Sequence, residues 1–207
     1  MVQKHLVTIF LALALVFLGI AVSLYPGGSQ ASATSVGYSF ADNYLCSLFG
    51  DTGINGVANP GQRWAFAGMF CMCVGFGAFF YRVAAKIPHR GASFIIRYGG
   101  VASFVFAFGA ITRYHDIAVS IACVFGMLAM FYLFVFVLRS RLRLLKLNAF
   151  ICLFFLYLNA FLYYASIWLV ALPIAQKISY VFLIIWVLGL EYVATPEDFE
   201  PPKKARN

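Results

Sequence analysis

Long apolar runs without charged residues, separated by short clusters of basic and polar residues, define the pattern of this chain. A helix needs about 17 to 25 mostly apolar residues to cross a hydrocarbon core about 30 Å thick. Six runs reach this length, and no alternation typical of a membrane barrel accompanies them. The pattern therefore predicts an all-α integral membrane bundle of six transmembrane helices. We predict spans near residues 6–25, 64–81, 94–112, 117–138, 149–170 and 174–194.

The composition favours a membrane protein over a water-soluble one. Of 207 residues, 63% are hydrophobic and 11% are charged, with a mean hydropathy of +0.89. Soluble domains contain about 45–50% apolar residues. We expect a single membrane domain over residues 1–207, with a loop at 26–63 and a tail at 195–207. The first apolar run, about 20 residues long, exceeds the 7 to 15 of a cleaved signal peptide, so we expect it to remain as a helix.

The basic residues predict the orientation, since short cytoplasmic loops carry the excess of Lys and Arg. Given these spans, all of the 15 Lys and Arg residues except Arg63, Arg113 and Lys177 fall on one side. This bias predicts that both termini are cytoplasmic and that the 26–63 loop is extracytoplasmic. The absence of an Asn-x-Ser/Thr sequon is compatible with a plasma membrane of the bacterial inner type. The net charge of +8 is an orientation signal, with some attraction to anionic lipid headgroups, and we expect no nucleic-acid partner.

Small residues at every fourth position predict tight packing of the central helices. They are Gly99, Ser103 and Ala107 in the third span and Ala118, Ala122 and Gly126 in the fourth. Such stripes let helix backbones approach closely, although glycine is also frequent in membrane helices generally. The aromatic residues of spans five and six are expected to face lipid. Glu191, the one acidic residue within a predicted span, is expected to pair with cations at the cytoplasmic rim.

The first loop is the least generic segment of the sequence. Residues 26–37 are rich in Gly, Ser, Ala and Thr, which predicts a flexible connector. If residues 42–49 are helical, their apolar and polar side chains fall on opposite faces, as in a short helix lying at a membrane surface. Residues 51–61 are dense in turn formers. We therefore expect this loop to fold as a cap over the outer mouth of the bundle.

Polar residues near that mouth form the candidate ligand-binding site. His115 lies on the same helical face as Ala118 and Ala122, so we expect it to point into the bundle. Asn159 and Tyr163 form a polar stripe that lines a cavity or, alternatively, holds helices together. A purely structural alternative for His115 and Asp116 is that they cap and anchor the start of a helix. The full candidate set is Asp42, Asn43, Ser47, Asp51, Arg63, Arg113, His115, Asp116, Asn159 and Tyr163.

The sequence offers little support for catalysis, for a metal or for a cofactor. Of the three histidines, two are predicted on the cytoplasmic side, so no His-rich metal site can assemble. Ser47 or Cys46 could be combined with His115, but no nucleophile elbow accompanies them. The five cysteines suggest no disulfide framework. We therefore expect no catalytic residue, no metal and no cofactor.

Three short segments resemble a known family. They are Asn43-Tyr-Leu-Cys-Ser-Leu-Phe-Gly50, His115-Asp-Ile-Ala118 and Gln176-Lys177-Ile178. With the six-span pattern, they resemble the DRAM/Frag/Sfk-like membrane proteins and their uncharacterised bacterial relatives. The loop of that family tends to read Ser-Asp-Leu-Gly, whereas here Leu48 follows Ser47, so an equivalent acid would be Asp42 or Asp51. The resemblance implies a lipid-related role, since eukaryotic members are associated with lipid remodelling of GPI anchors, autophagy and phosphoinositide regulation.

Two functional hypotheses from different classes follow. In the first, the protein binds a membrane lipid or another amphiphile at the outer mouth, with Arg63 and Arg113 contacting a headgroup and Asn159 and Tyr163 lining the pocket. In the second, it is a non-catalytic accessory subunit that packs against another integral membrane protein through its aromatic helices. A lipid-remodelling enzyme is a third alternative with less support. Bound lipid after purification would favour the first hypothesis, and reproducible co-purification with one partner would favour the second.

Overall fold

Helices account for nearly all of the regular structure. The computed structural model describes residues 2–112 and 114–200, without the side chains of residues 2–4, 110 and 115. Its helices are α1 Val2–Ser23, α2 Gln62–Val83, α3 Arg90–Phe94, α4 Gly100–Phe108, α5 His115–Arg139, α6 Arg143–Tyr164 and α7 Leu172–Tyr192. A π-helical segment, Ile95–Gly99, joins α3 to α4. Short 3-10 segments lie at Leu45–Phe49, Ala84–Lys86, Gly109–Ile111, Leu169–Ala171 and Pro196–Phe199.

Within the described residues, six helical stretches are long and apolar enough to cross a membrane. They run over His5–Ser23, Gln62–Lys86, Arg90–Phe108, Asp116–Arg139, Arg143–Tyr164 and Leu169–Tyr192. The same part of the chain contains no named strand. The prediction of an all-α fold with six span-length helices is therefore confirmed, and helix length and composition place the chain among multi-pass membrane proteins.

The fifth span lies earlier in the chain than the sequence predicts, at Arg143–Tyr164 instead of residues 149–170. The apolar run continues beyond Tyr164, but the backbone leaves the helix there. Ser166 and Trp168 adopt left-handed φ values of 53° and 51°, which non-glycine residues rarely adopt. A local change of backbone conformation, and not a change of polarity, therefore ends α6.

The chain folds into two compact units, each assembled from two separate stretches of the sequence. The first unit comprises residues up to Gly75 together with Phe150–Ile185, and the second comprises Phe76–Ala149 together with residues from Trp186 onward. Each unit has its own buried side chains.

In the first unit, α1 and α2 pack closely because α2 carries glycines at the contact. A Cβ added to Gly68 would come within 2.9 Å of Leu18 Cγ, and one added to Gly75 within 3.1 Å of Leu11 Cγ. Phe17 and Trp64 add an aromatic contact, with ring centroids 5.8 Å apart. A buried cluster of Ala21, Tyr25, Leu48 and Ala65 then joins these two helices to the first loop.

In the second unit, the predicted small-residue stripes of spans three and four are in contact. The Ser103 hydroxyl donates to the carbonyl of Ala122 at 2.8 Å. A Cβ added to Gly126 would lie 2.7 Å from Ser103 Oγ, and one added to Gly99 would lie 3.7 Å from the side chain of Ala129. The predicted tight packing between these two spans is therefore confirmed.

The second unit also contains a partly buried ion pair at the end of α7. Arg82 Nε donates to Glu191 Oε1 at 2.5 Å, and the Glu191 side chain is only 2% exposed. Lys86 Nζ donates to the carbonyls of Leu190 and Glu191, each at 2.8 Å, and so caps the C-terminal end of α7. The prediction that Glu191 pairs with basic residues is confirmed.

Candidate functional site

The first loop, residues 24–61 between α1 and α2, is folded from its beginning. Gly27 and Val36 form an antiparallel bridge, and Gly28 N donates to the carbonyl of Ser35 at 2.7 Å. Gly28 has a φ of +80°, and an added Cβ would lie 2.3 Å from Asn55 N. The segment is therefore a packed, hydrogen-bonded turn instead of the predicted flexible connector, because its glycines permit close backbone contact.

Asn43 is the hydrogen-bonding centre of the loop. It is fully buried, and its side-chain amide donates to the carbonyl of Gly28 at 2.9 Å. Its Oδ1 accepts from Ser39 N at 2.9 Å. Its backbone carbonyl accepts from the Tyr38 hydroxyl at 3.2 Å and from Lys177 Nζ at 2.6 Å. These contacts give Asn43 a structural role, whereas the sequence alone placed it among the ligand-binding candidates.

A second asparagine, Asn59, holds the far end of the loop. Its side-chain amide donates to the carbonyls of Leu48 and Gly50, each at 3.0 Å, and its Oδ1 accepts from Gly61 N at 3.0 Å. Gln62 Nε2 donates to the carbonyl of Phe49 at 2.9 Å. Sequence reasoning did not single out Asn59, although its position before Pro60 and Gly61 marks a turn.

The loop is also anchored to the beginning of α7. Gln176 Oε1 accepts from Leu45 N at 3.2 Å. Lys177 Nζ donates to the carbonyl of Pro173 at 3.1 Å, in addition to that of Asn43, and lies 5.4 Å from the centroid of the Tyr38 ring. Burial raises the pKa of Tyr38 above its ordinary value, so its hydroxyl stays protonated and can donate. The Gln176-Lys177 pair of the family resemblance is therefore a loop anchor in this structure.

A groove of about 240 Å³ lies beside this anchor, between the loop and the start of the last span. Its lining residues are Gln30, Ala31, Asp42, Tyr44, Leu169, Val170 and Pro173. The α7 side supplies apolar side chains, while the loop side supplies an amide, a carboxylate and a phenol. Asp42 Oδ2 accepts from the Ser39 hydroxyl at 2.7 Å, which fixes the carboxylate. Burial raises the pKa of Tyr44, so its phenol is a neutral donor.

The structure brings only part of the predicted site to this groove. Asp42 lines it, whereas the fully buried Asn43 does not. Ser47 is half-buried on the 3-10 segment, while Asp51 and Arg63 are exposed and do not line the groove.

The two candidate residues of the fifth span, Asn159 and Tyr163, differ in their surroundings. Asn159 Nδ2 donates to Ser179 Oγ at 3.3 Å, which joins α6 to α7 as the helix-holding alternative expects. Tyr163 is 63% exposed.

The predicted cluster around His115 belongs to the second unit. Asp116 is exposed in the first turn of α5. Arg113 and the side chain of His115 lie outside the described residues. The site prediction for these residues therefore stays a prediction.

The chemistry available at the groove is binding chemistry. Among the described side chains, no group of three or more His, Cys, Asp or Glu residues is placed to hold a metal ion. The five cysteines are free thiols. The groove itself presents a carboxylate, a phenol and an amide against an apolar wall, which suits a molecule with a hydrogen-bonding head and an apolar body.

The fold and groove define a multi-pass helical membrane protein with a folded, anchored first loop. A scan against protein-family models and searches of curated proteins and of solved structures found no match to this chain.

Proposed function

We propose that this chain is a non-catalytic membrane protein that binds a lipid or another amphiphile in the groove beside its first loop. The observation that carries the proposal is the two-sided lining, with Leu169, Val170 and Pro173 facing Asp42 and Tyr44. The groove lies where the loop meets the end of a span-length helix, a position suited to the headgroup region of a bilayer. Its volume of about 240 Å³ is below the roughly 300–1,000 Å³ of drug-sized sites. It therefore suits a headgroup and the first part of a chain.

The charge of the groove favours a headgroup that donates hydrogen bonds. One carboxylate oxygen of Asp42 accepts from Ser39, and the other accepts no hydrogen bond from a described residue, while the Lys177 ammonium interacts with the carboxylate at longer range. A primary ammonium group would satisfy that oxygen, since hydrogen bonds to charged groups are the stronger ones. With the loop extracytoplasmic, as the basic residues predict, the ligand would come from the outer leaflet of the plasma membrane.

Lipid binding by paired charge variants tests this proposal. The full-length chain in detergent is titrated with phosphatidylethanolamine and, separately, with phosphatidylcholine, and bound lipid is counted by native mass spectrometry. We expect Asp42→Asn to weaken phosphatidylethanolamine binding about tenfold, because a hydrogen bond to a charged group is worth about 1.5–3 kcal/mol. Asp51→Asn, which makes the same charge change in the same loop outside the groove, should leave binding unchanged. Equal effects of both variants would refute the groove as the site.

A second candidate function, that of an accessory subunit bound to another integral membrane protein, is supported by the outward face of α6. Aromatic side chains recur there at alternating intervals of four and three residues, each at least half exposed: Phe150 52%, Phe154 62%, Tyr157 68%, Phe161 58% and Tyr164 84%. This is the spacing with which one helix packs along another. The exposed large residues of α5 are instead mainly aliphatic: Ile117, Val124, Phe125, Met127, Leu128 and Phe131.

Tyr157 strengthens this second candidate. It lies about 10 Å along the axis before the end of α6, and its Cα–Cβ bond tilts toward the helix N-terminus, away from that end. This tilt favours a hydroxyl position within the hydrocarbon region, where an unpaired polar group is costly. A neighbouring protein helix with an acceptor would satisfy it.

Site-specific photo-crosslinking in the native membrane distinguishes a subunit from a free-standing lipid binder. A photoreactive residue at Phe154 should give one discrete adduct whose partner is identified by mass spectrometry, and Tyr157→Phe should reduce its yield. The same reagent at Val124 of α5 should give only diffuse lipid adducts. Diffuse products from both positions would exclude the subunit function for this face.

A further inference from the structure

The turn between α5 and α6 is held by hydrogen bonds and is strongly basic. Ser140 is 3% exposed, and its hydroxyl donates to the carbonyl of Val137 at 2.7 Å and accepts from Leu142 N at 3.3 Å. Its backbone N–H donates to the carbonyl of Phe136 at 3.1 Å. This buried serine fixes the turn, so that the three flanking arginines project outward from it. They are Arg139, Arg141 and Arg143, all exposed.

The side chains of these arginines, unlike those of Arg82 and Arg97 in the same unit, have no partner among the described residues. Arg82 pairs with Glu191, and Arg97 lies 4.9 Å from the centroid of the Tyr81 ring. By contrast, the guanidinium groups of the three arginines make no hydrogen bond or ion pair with the described part of the chain. The sequence contains no acidic residue between Asp116 and Glu191. Three positive charges thus lie within five residues, without an ion pair to any described acidic side chain.

Apolar side chains stand directly beside these charges. Leu144 and Leu147, in the first turns of α6, are 81% and 60% exposed. Both follow the turn at the end of a span-length helix, so the arginines lie at headgroup level and the leucines face the acyl region when α6 spans a bilayer. The beginning of α6 adds partly unsatisfied backbone N–H groups, which favour anions.

We propose that this turn, residues 139–143, is a binding site for the phosphate of anionic phospholipids. Arginine binds phosphate oxygens through two parallel hydrogen bonds, and the hydrogen-bonded turn holds the backbones of the three arginines close together. The exposed leucines select a membrane lipid over a soluble phosphate, since they contact only a ligand with acyl chains. The site lies in the second unit and does not depend on the groove proposed above.

The test compares lipids that differ in headgroup charge. The full-length chain in detergent micelles is titrated with phosphatidylglycerol and with phosphatidylcholine of identical acyl chains, and native mass spectrometry counts bound lipid. The wild type should bind phosphatidylglycerol more tightly. The triple variant Arg139→Gln, Arg141→Gln, Arg143→Gln should lose this preference. Its affinity for phosphatidylglycerol should fall about fivefold for each arginine and about a hundredfold in all.

A matched control removes three charges elsewhere in the sequence. The variant Lys203→Gln, Lys204→Gln, Arg206→Gln has the same net charge as the triple arginine variant and should keep the preference for phosphatidylglycerol. An unchanged preference in the arginine variant, or an equal loss in the control, would overturn the proposal. Displacement of phosphatidylglycerol by millimolar glycerol 3-phosphate would overturn the choice of a lipid over a soluble phosphate. If the triple variant does not fold, Arg141→Gln alone should still lower the affinity about fivefold.

Discussion

Replacing Asn43 by alanine should open the first loop while leaving the helices intact. The substitution removes two side-chain hydrogen bonds, one to the carbonyl of Gly28 and one from Ser39 N. Gly28 is buried, so water cannot readily replace the lost donor. An unsatisfied buried group costs about 1–3 kcal/mol, so the two together should lower the free energy of loop opening by about 3 kcal/mol.

Hydrogen exchange measures this local change directly. A loss of about 3 kcal/mol corresponds to roughly a hundredfold faster exchange of loop amides when exchange is governed by the opening equilibrium. We expect the change in peptides covering residues 26–61, with little change in peptides from α4 and α5. The measurement is made on the purified protein in detergent.

Asn55→Ala is the matched control for this prediction. Asn55 also makes two side-chain hydrogen bonds, to the carbonyl of Pro26 at 3.2 Å and from Val57 N at 3.1 Å. Val57 is exposed, so water can take over that contact and the expected loss is below about 1 kcal/mol. Equal acceleration in the Asn43 and Asn55 variants, or faster exchange throughout the helices, would refute the assignment of Asn43 as the centre of the loop.

Three further predictions concern single contacts. Glu191→Gln should lower the free energy of unfolding in detergent by about 2 kcal/mol. This is less than the roughly 3–5 kcal/mol cost of breaking a fully buried ion pair, because Arg82 is 36% exposed. An unchanged melting temperature would contradict this prediction. Gly126→Ala should cost about 1–3 kcal/mol by overpacking against Ser103 Oγ, and Ser103→Ala in the same chain should recover part of the loss in the same melting assay. Burial raises the pKa of Tyr38 above 10.0, so its stabilising neutral form is fully present below pH 10 and its contribution declines as the pH rises further. The hydrogen-exchange rate of the loop amides should therefore rise above pH 10 by a larger factor in the wild type than in Tyr38→Phe.

The span-length helices were predictable because each apolar run exceeds the length needed to cross a bilayer. The end of α6 was not, because the residues after Tyr164 are as apolar as those before it. Only the backbone angles of Ser166 and Trp168 reveal the break, and hydropathy carries no information about them. The contact between Ser103 and Ala122 was predictable, since small residues at helical spacing mark close packing.

The loop was harder to predict because its stabilising contacts are distant in sequence. Leu45 and Gln176 are 131 positions apart, and Asn43 and Lys177 are 134 positions apart. Local polarity placed Asn43 among the ligand-binding candidates, and a Gly/Ser-rich composition predicted flexibility for residues 26–37. Neither pattern shows which buried carbonyl or amide a side chain will satisfy. Asp42 lines the groove, and its role in ligand binding stays a prediction.

The anchoring of the first loop by α7 has a consequence for biosynthesis. Residues 24–61 are made early, yet the two side chains that fasten them, Gln176 and Lys177, belong to the last span. During N-to-C synthesis, the carbonyl of Asn43 has no ammonium donor until α7 has been translated and inserted. The loop therefore lacks its hydrogen bonds to Gln176 and Lys177 while the four intervening spans are inserted. A ribosome-stalled chain that ends before Leu172 should expose this loop to protease, and protection should come only after the last helix has entered the membrane.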